Sequence, residues 1–217
     1  MTARVNDERP GAAPFVPEGA DLDALRQAAP SCRGCELWEP ATQVVFSAGA
    51  PDGRLALVGE QPGDQEDRRG VPFIGPAGRL LQKAVAEAGI DLSTTYVTNA
   101  VKHFRFSQTA PGNRRIHATP DQGHVTACRP WLAAELAVVD PDVIVCLGAT
   151  AAKALLPKDF RVTKHRGQVF TLTTTRGEKT FMGTIHPSAV LRTPEAERDA
   201  AYAGLVADLR TAAAALG

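Results

Sequence analysis

The 217-residue chain has no net charge, because 24 Lys and Arg are balanced by 24 Asp and Glu. Overall charge therefore cannot draw in a polyanion, and any electrostatic route to nucleic acid must be a local patch. No apolar run is long enough to span a bilayer. The opening stretch, MTARVNDERPGAAPFVPEGA, lacks the apolar centre of a secretory signal. An intracellular, cytoplasmic location with no membrane partner is expected. Cysteine is limited to four residues, and in a reducing compartment these are not expected to form structural disulfides. No internal repeat is visible, which excludes a solenoid or propeller.

With 44% hydrophobic and 22% charged residues, the chain has an ordinary globular composition and enough length for one sizeable core. Residues 1–20 are rich in Pro, Gly and Ala and are expected to be flexible or draped over the surface. Residues 21–217 are expected to form a single domain, and a monomer is the default oligomeric state.

The pattern along the chain alternates strand and helix. DLDALRQAA reads as a short helix. RLALVGE (54–60), TTYVTNAV (94–101), DVIVCLG (142–148) and 181–186 read as buried strands, with a hairpin or edge strand before the last. GPAGRLLQKAVAEAGI, DQGHVTACRPWLAAELAVV, residues 149–155 and the final PEAERDAAYAGLVADLRTAAAAL read as helices. This order predicts an α/β fold: a three-layer α/β/α sandwich around a central, mainly parallel four-stranded sheet.

Such sheets place their sites in loops at the carboxyl ends of strands. Three of the four strands end in GEQPGDQED, TNAVKHF and TIHPSAVLR. Glu60, Gln61, Asn99 and His186 are thus expected on one rim. Between them, TAPGNRRIHATPD (109–121) carries two arginines and a histidine, with no acid before its last residue. It reads as a landing place for an anion or as a solvated loop. The cysteines comprise one C-x-x-C pair, Cys32 and Cys35, and two distant singles, Cys128 and Cys146. Spacing alone is compatible with zinc, an iron–sulfur cluster or buried thiols.

Taken in order, GEQPG…GVPFIGPAGRLL, YVTNAVK and HPSAVLR resemble the iron–sulfur uracil-DNA glycosylases, the fourth family of their superfamily. GEQPGDQED together with RRIH resembles the UdgX-type variant, which joins covalently to uracil-bearing DNA. The likeness runs from about Cys32 to the final helix. It departs at Asn113, where that variant has a lysine.

This resemblance implies a set of roles. Phe73 would stack on an extruded uracil. Asn99 would pair with the uracil edge, and His186 would donate to O2 as charge builds there. Gln61 and Asp64 would support the site. His117 would bond to C1′ of the sugar, with Glu60 offsetting charge or accepting a proton. Arg114 and Arg115 would grip phosphates, with Lys102, Arg105, Lys164 and Arg166 extending the patch. Leu191 or Arg192 would wedge into the base stack.

Cys32, Cys35, Cys128 and Cys146 would ligate a [4Fe–4S] cluster. The expected partners are uracil and uracil-containing DNA, single- or double-stranded. A turnover glycosylase and a non-catalytic iron–sulfur DNA-binding protein are the competing functions.

Overall fold

The computed structural model describes residues 9–110 and 112–217. Residues 1–8 of the expected flexible segment, and Pro111 of the basic loop, lie outside the described residues. In chain order the elements begin with Leu22–Ala28 (α1), Ser47–Gly49 (β1), Leu55–Gly59 (β2), Asp64–Arg69 (α2) and Pro76–Glu87 (α3). Next come Thr95–Asn99 (β3), Phe106–Ser107 (β4), Ile116–His117 (β5), Gln122–Val139 (α4), Val143–Leu147 (β6) and Ala149–Leu155 (α5). The chain closes with Val162–His165 (α6), Val169–Thr174 (β7), Gly177–Thr184 (β8), Pro187–Arg192 (α7) and Glu195–Ala214 (α8).

Local chemistry sets several of these boundaries. Asp21 caps α1 by accepting from the Ala24 N–H at 2.8 Å. Pro76 sits in the first turn of α3, where its missing N–H costs nothing. Asp121 and His124 form a reciprocal capping box that starts α4.

The central sheet has six strands in the order β1-β3-β2-β6-β8-β7. Its middle four are parallel, as expected, whereas β1 and β7 are antiparallel edges. The expectation of four strands is corrected to six. The omitted β1 has the sequence Ser-Ala-Gly, which carries no strand-forming side chain, and only its pairing to β3 makes it extended.

Every residue of β2, β3 and β6 is buried, so no apolar/polar alternation marks them. Alternation is present nonetheless as a choice of core. Ala56, Val58, Tyr96, Ile144 and Phe181 face the cluster that includes residues of α1, α4 and α5. Leu55, Leu57, Val97, Val145 and Met182 face the one that includes residues of α3 and α8. Helices cover both faces, as a parallel sheet requires.

From β2 the chain reaches β3 on one side, while β6 lies on the other. That reversal opens a crevice at the carboxyl ends of β2 and β6. The described part of the N-terminal segment lies against α4: the Gly11 N–H donates to Gly34 O at 2.9 Å and the Ala12 N–H to Ala127 O at 2.8 Å. Arg9 adds ion pairs to Glu36 at 2.8 Å and Asp121 at 3.1 Å. No helix among the described residues is long and apolar enough to cross a membrane.

Candidate active site

A cleft of about 860 Å³ opens at the carboxyl ends of the strands. Its inner wall holds Phe73, Asn99 and His186. Asn99 ends β3 and is 2% exposed, and its Oδ1 is buried without a hydrogen-bond partner. A buried unpaired acceptor is costly unless a ligand supplies the donor.

Gly59 lies opposite Asn99 in the sheet register. A Cβ there would sit 2.3 Å from Asn99 Oδ1 and 2.5 Å from Phe73 Cζ, so only glycine leaves room for both. Phe73 itself has a φ of 56°, a conformation that side chains other than glycine seldom adopt. Gly78 permits it: a Cβ at that position would fall 1.8 Å from the Phe73 carbonyl oxygen.

His186 caps α7 through its ring. Nδ1 accepts from the Ser188 N–H at 3.1 Å and lies 2.8 Å from Ser188 Oγ. Burial, with smaller contributions from His117 and Arg192, pushes His186 down to about 4. The imidazole is therefore neutral near pH 7. With Nδ1 accepting, the ring proton belongs on Nε2, which is left as a donor.

The opposite wall is the short β4–β5 hairpin that carries His117. Gln61, 7% exposed, grips its base. Gln61 Oε1 accepts from the Arg105 N–H at 2.9 Å, and its Nε2 lies 3.1 Å from both Arg105 O and Ala118 O. The same nitrogen is 3.0 Å from His117 Nε2. Glu60 Oε1 lies 3.3 Å from that same His117 nitrogen. Glu60 does not line the cleft; it reaches the cleft only through His117.

Arg115 was expected to hold phosphate, but its guanidinium is already committed. Nε pairs with Asp64 Oδ1, Nη1 with Asp67 Oδ2 at 2.6 Å and with Thr42 Oγ1 at 3.1 Å. Nη2 donates to the Asp64 carbonyl at 3.3 Å. The group packs over Phe104 and Phe106 and is 8% exposed. Arg115 and Asp64 thus fasten the hairpin to α2 and are not free surface groups.

Arg114, next to Arg115, is exposed on the cleft, as is Leu191. Leu191 and Arg192 lie in α7, not at a loop tip. Arg105 bonds Thr119 O at 2.6 Å, Arg166 pairs with Asp208 at 2.9 Å, and Lys164 lies in α6, away from the cleft lining.

Lys102 is also internal, at 1% exposure. Its ammonium pairs with Glu135, donates to Thr98 Oγ1 at 2.6 Å and to the Asn99 carbonyl at 3.0 Å. Tyr96 and Thr98 donate to the same carboxylate at 2.9 Å and 2.6 Å. This arrangement corrects the expectation of a DNA-facing lysine. Its charge is spent on a buried network behind Asn99.

Cys32, Cys35 and Cys128 line one small cavity together with His103. Cys146 does not; it is buried in β6, within the core. Burial pushes both Cys128 and Cys146 up to about 12, but only Cys128 feels the neighbouring Cys35 and Cys32 thiols. Burial pushes His103 down to about 4, leaving a neutral imidazole, the form that ligates iron or zinc. His103 has no marking motif in the sequence, lying four residues past the end of β3 in TNAVKHF. Thr150, whose hydroxyl donates to Glu60 Oε2, was missed as well, having no motif around it.

Comparison with known proteins identifies the family. The model of the Uracil DNA glycosylase superfamily matches residues 46–210. A Type-4 uracil-DNA glycosylase of Thermotoga maritima is 37% identical over 172 residues, 79% of this chain and 83% of that protein. Those of Sulfurisphaera tokodaii and Archaeoglobus fulgidus are each 33% identical over 178 residues. These two alignments cover 80% of this chain, and 77% and 85% of the respective relatives. A match spanning the sheet, the cleft and α8 places this chain in the uracil DNA glycosylase superfamily.

Proposed function

We propose that this chain excises uracil from DNA and, in the manner of the UdgX-type variant, ends joined to the sugar through His117. One observation carries this reading. His117 Nε2 lies 3.3 Å from Glu60 Oε1, on the rim of the cleft that holds Phe73, Asn99 and His186.

In this reading the extruded uracil lies against Phe73. Asn99 Oδ1, buried and unpartnered, accepts from uracil N3–H; cytosine has no hydrogen there and is disfavoured. As the C1′–N1 bond breaks, its electron pair goes to the base, and the Nε2–H of His186 donates to O2 where that charge gathers. His117 Nε2 bonds to C1′ through its lone pair, the Glu60 carboxylate offsets the positive charge this brings to the ring, and the Nδ1 proton then leaves to the uracil anion or water. The sugar thereby gains a C–N bond to imidazole, a poor leaving group, and the enzyme stays attached. Arg114 and Leu191 meet the DNA around the flipped nucleotide.

The cofactor reading follows the same family. Cys32, Cys35, Cys128 and His103, which share the lining of one small cavity, would hold a [4Fe–4S] cluster, with His103 in place of Cys146 as the fourth ligand. When bound, the group would cross-link the segment bearing Cys32 and Cys35 to α4 and to the loop after β3. Purified Cys35→Ala and His103→Ala should lose the visible absorbance and iron content of the wild type. Cys146→Ala should keep both, and loss of colour in that variant would return the fourth place to Cys146.

The activity test uses a uracil-containing single-stranded oligonucleotide and denaturing electrophoresis. A slow band that resists heat and detergent is expected. Alkali-labile cleavage without that band would mean ordinary turnover, and an unchanged oligonucleotide would mean binding without chemistry. In His117→Gly, water replaces the ring, so the band should vanish while free uracil accumulates.

A further inference from the structure

Glu60 follows β2, and Thr150 is the second residue of α5, the helix separated from β6 by one residue. They are 90 positions apart in the chain, yet β2 and β6 are paired neighbours. At their carboxyl ends the Thr150 hydroxyl donates to Glu60 Oε2. The other carboxylate oxygen, Oε1, is the one 3.3 Å from His117 Nε2. Thr150 is 8% exposed, so water competes little for this bond.

A glutamate side chain has several rotatable torsions and would not by itself hold one oxygen toward a particular atom. Arg114 and Arg192 line the neighbouring cleft, and either cation would attract a loose carboxylate. We propose that Thr150 is the positioning residue for Glu60. Its hydroxyl fixes Oε2, and the remaining oxygen is held against His117 before DNA arrives. Threonine suits the task because its β-branched side chain has few rotamers, so the hydroxyl direction is set by the backbone. The bond is charge-assisted, which puts it among the stronger side-chain hydrogen bonds. The inference rests on the reading of Glu60 as the carboxylate that offsets charge on His117 and the sugar.

The test is single-turnover kinetics of uracil release and of adduct formation, measured alongside DNA affinity. Thr150→Val keeps the shape and removes the hydroxyl. It should slow the chemical step about tenfold, the size of one charge-assisted hydrogen bond, with affinity for uracil-containing DNA unchanged. Thr150→Ser should recover most of the rate. In a Glu60→Gln background Thr150→Val should cost little more, because the charge it positions is gone.

Wild-type rates in Thr150→Val would overturn the proposal. So would an equal loss in the Glu60→Gln background, since that would mark a general structural defect. Failure of the underlying reading looks different: the wild-type chain would release uracil with no adduct, or Glu60→Gln would react at full rate.

Discussion

The two walls of the cleft are built by different means. The inner wall, with Phe73, Asn99 and His186, is held by close packing: Gly59 touches two of these side chains and Gly148 the third, and a Cβ at either glycine would come within 3.0 Å of them. The outer wall is a two-by-two-residue hairpin fastened by polar contacts from Gln61, Asp64 and Asp67. Reading a base demands placement to a fraction of an ångström, which packing supplies. Presenting a nucleophile over an incoming sugar demands a wall that DNA can approach. A polar clamp on an exposed hairpin meets that need, since His117 remains 48% exposed.

The sharpest way to break this comparison is Gly59→Ala. The new Cβ would meet Asn99 Oδ1 at 2.3 Å and Phe73 Cζ at 2.5 Å, so the base-reading wall must shift. Uracil release should fall about 100-fold or more, the scale of an ångström of misplacement, while circular dichroism still reports a cooperative fold. A rate near wild type would show that the inner wall is as yielding as the outer.

A second experiment separates the paired arginines. Arg115→Ala leaves Asp67, a fully buried residue, without its guanidinium, and should cost about 3 kcal/mol of stability in a urea melt. Arg114→Ala should leave stability within about 0.5 kcal/mol. Its signature should appear in DNA binding, with the log-affinity against log-salt slope shallower by about one. Were Arg115→Ala stable and only its salt slope changed, the clamp would be a phosphate contact after all.

The most gradual expected effect, spread over about two and a half pH units, is the acid response of the inner wall. His186 sits near 4 in the fold against about 6.5 for an unfolded histidine. Below the higher value the unfolded chain binds the extra proton first, so stability falls as pH drops from about 6.5 and this contribution levels off near 4. His186→Asn should flatten that part of the pH–stability curve. Protonation would also give Nδ1 a hydrogen facing the Ser188 N–H, so the α7 cap and the neutral donor are lost together.

Much of this was legible from residues alone. Apolar or β-rich runs between turn residues pointed to the parallel strands, and helical spacing pointed to α1, α3, α4, α5 and α8. Asn99 and His186 stood out because both follow strands of an α/β pattern and therefore converge on one rim. The six-residue helix α2, DQEDRR, has no apolar face, and its residues are needed mainly as carboxylates for Arg115. No periodicity could have revealed it.

The basic residues were the harder case. Lys102, Arg114 and Arg115 look alike in sequence, but one is sealed behind Asn99, one fastens a hairpin and one faces the cleft. The two internal cations each have a carboxylate within reach, Glu135 for Lys102 and Asp64 and Asp67 for Arg115.

Residue order by itself determined the alternation of buried strands and helices, and with it the rim on which chemistry could gather. Those outcomes depend on short-range periodicity and on caps a few residues away. Tertiary structure alone decided which charges are spent inside, that His103 and not Cys146 shares the cavity of the other three cysteines, and that Thr150 meets Glu60. Each of those depends on atoms far apart in the chain coming within a hydrogen bond or ion pair of one another, and an electrostatic energy that falls so steeply with distance and exposure is not written in any local stretch.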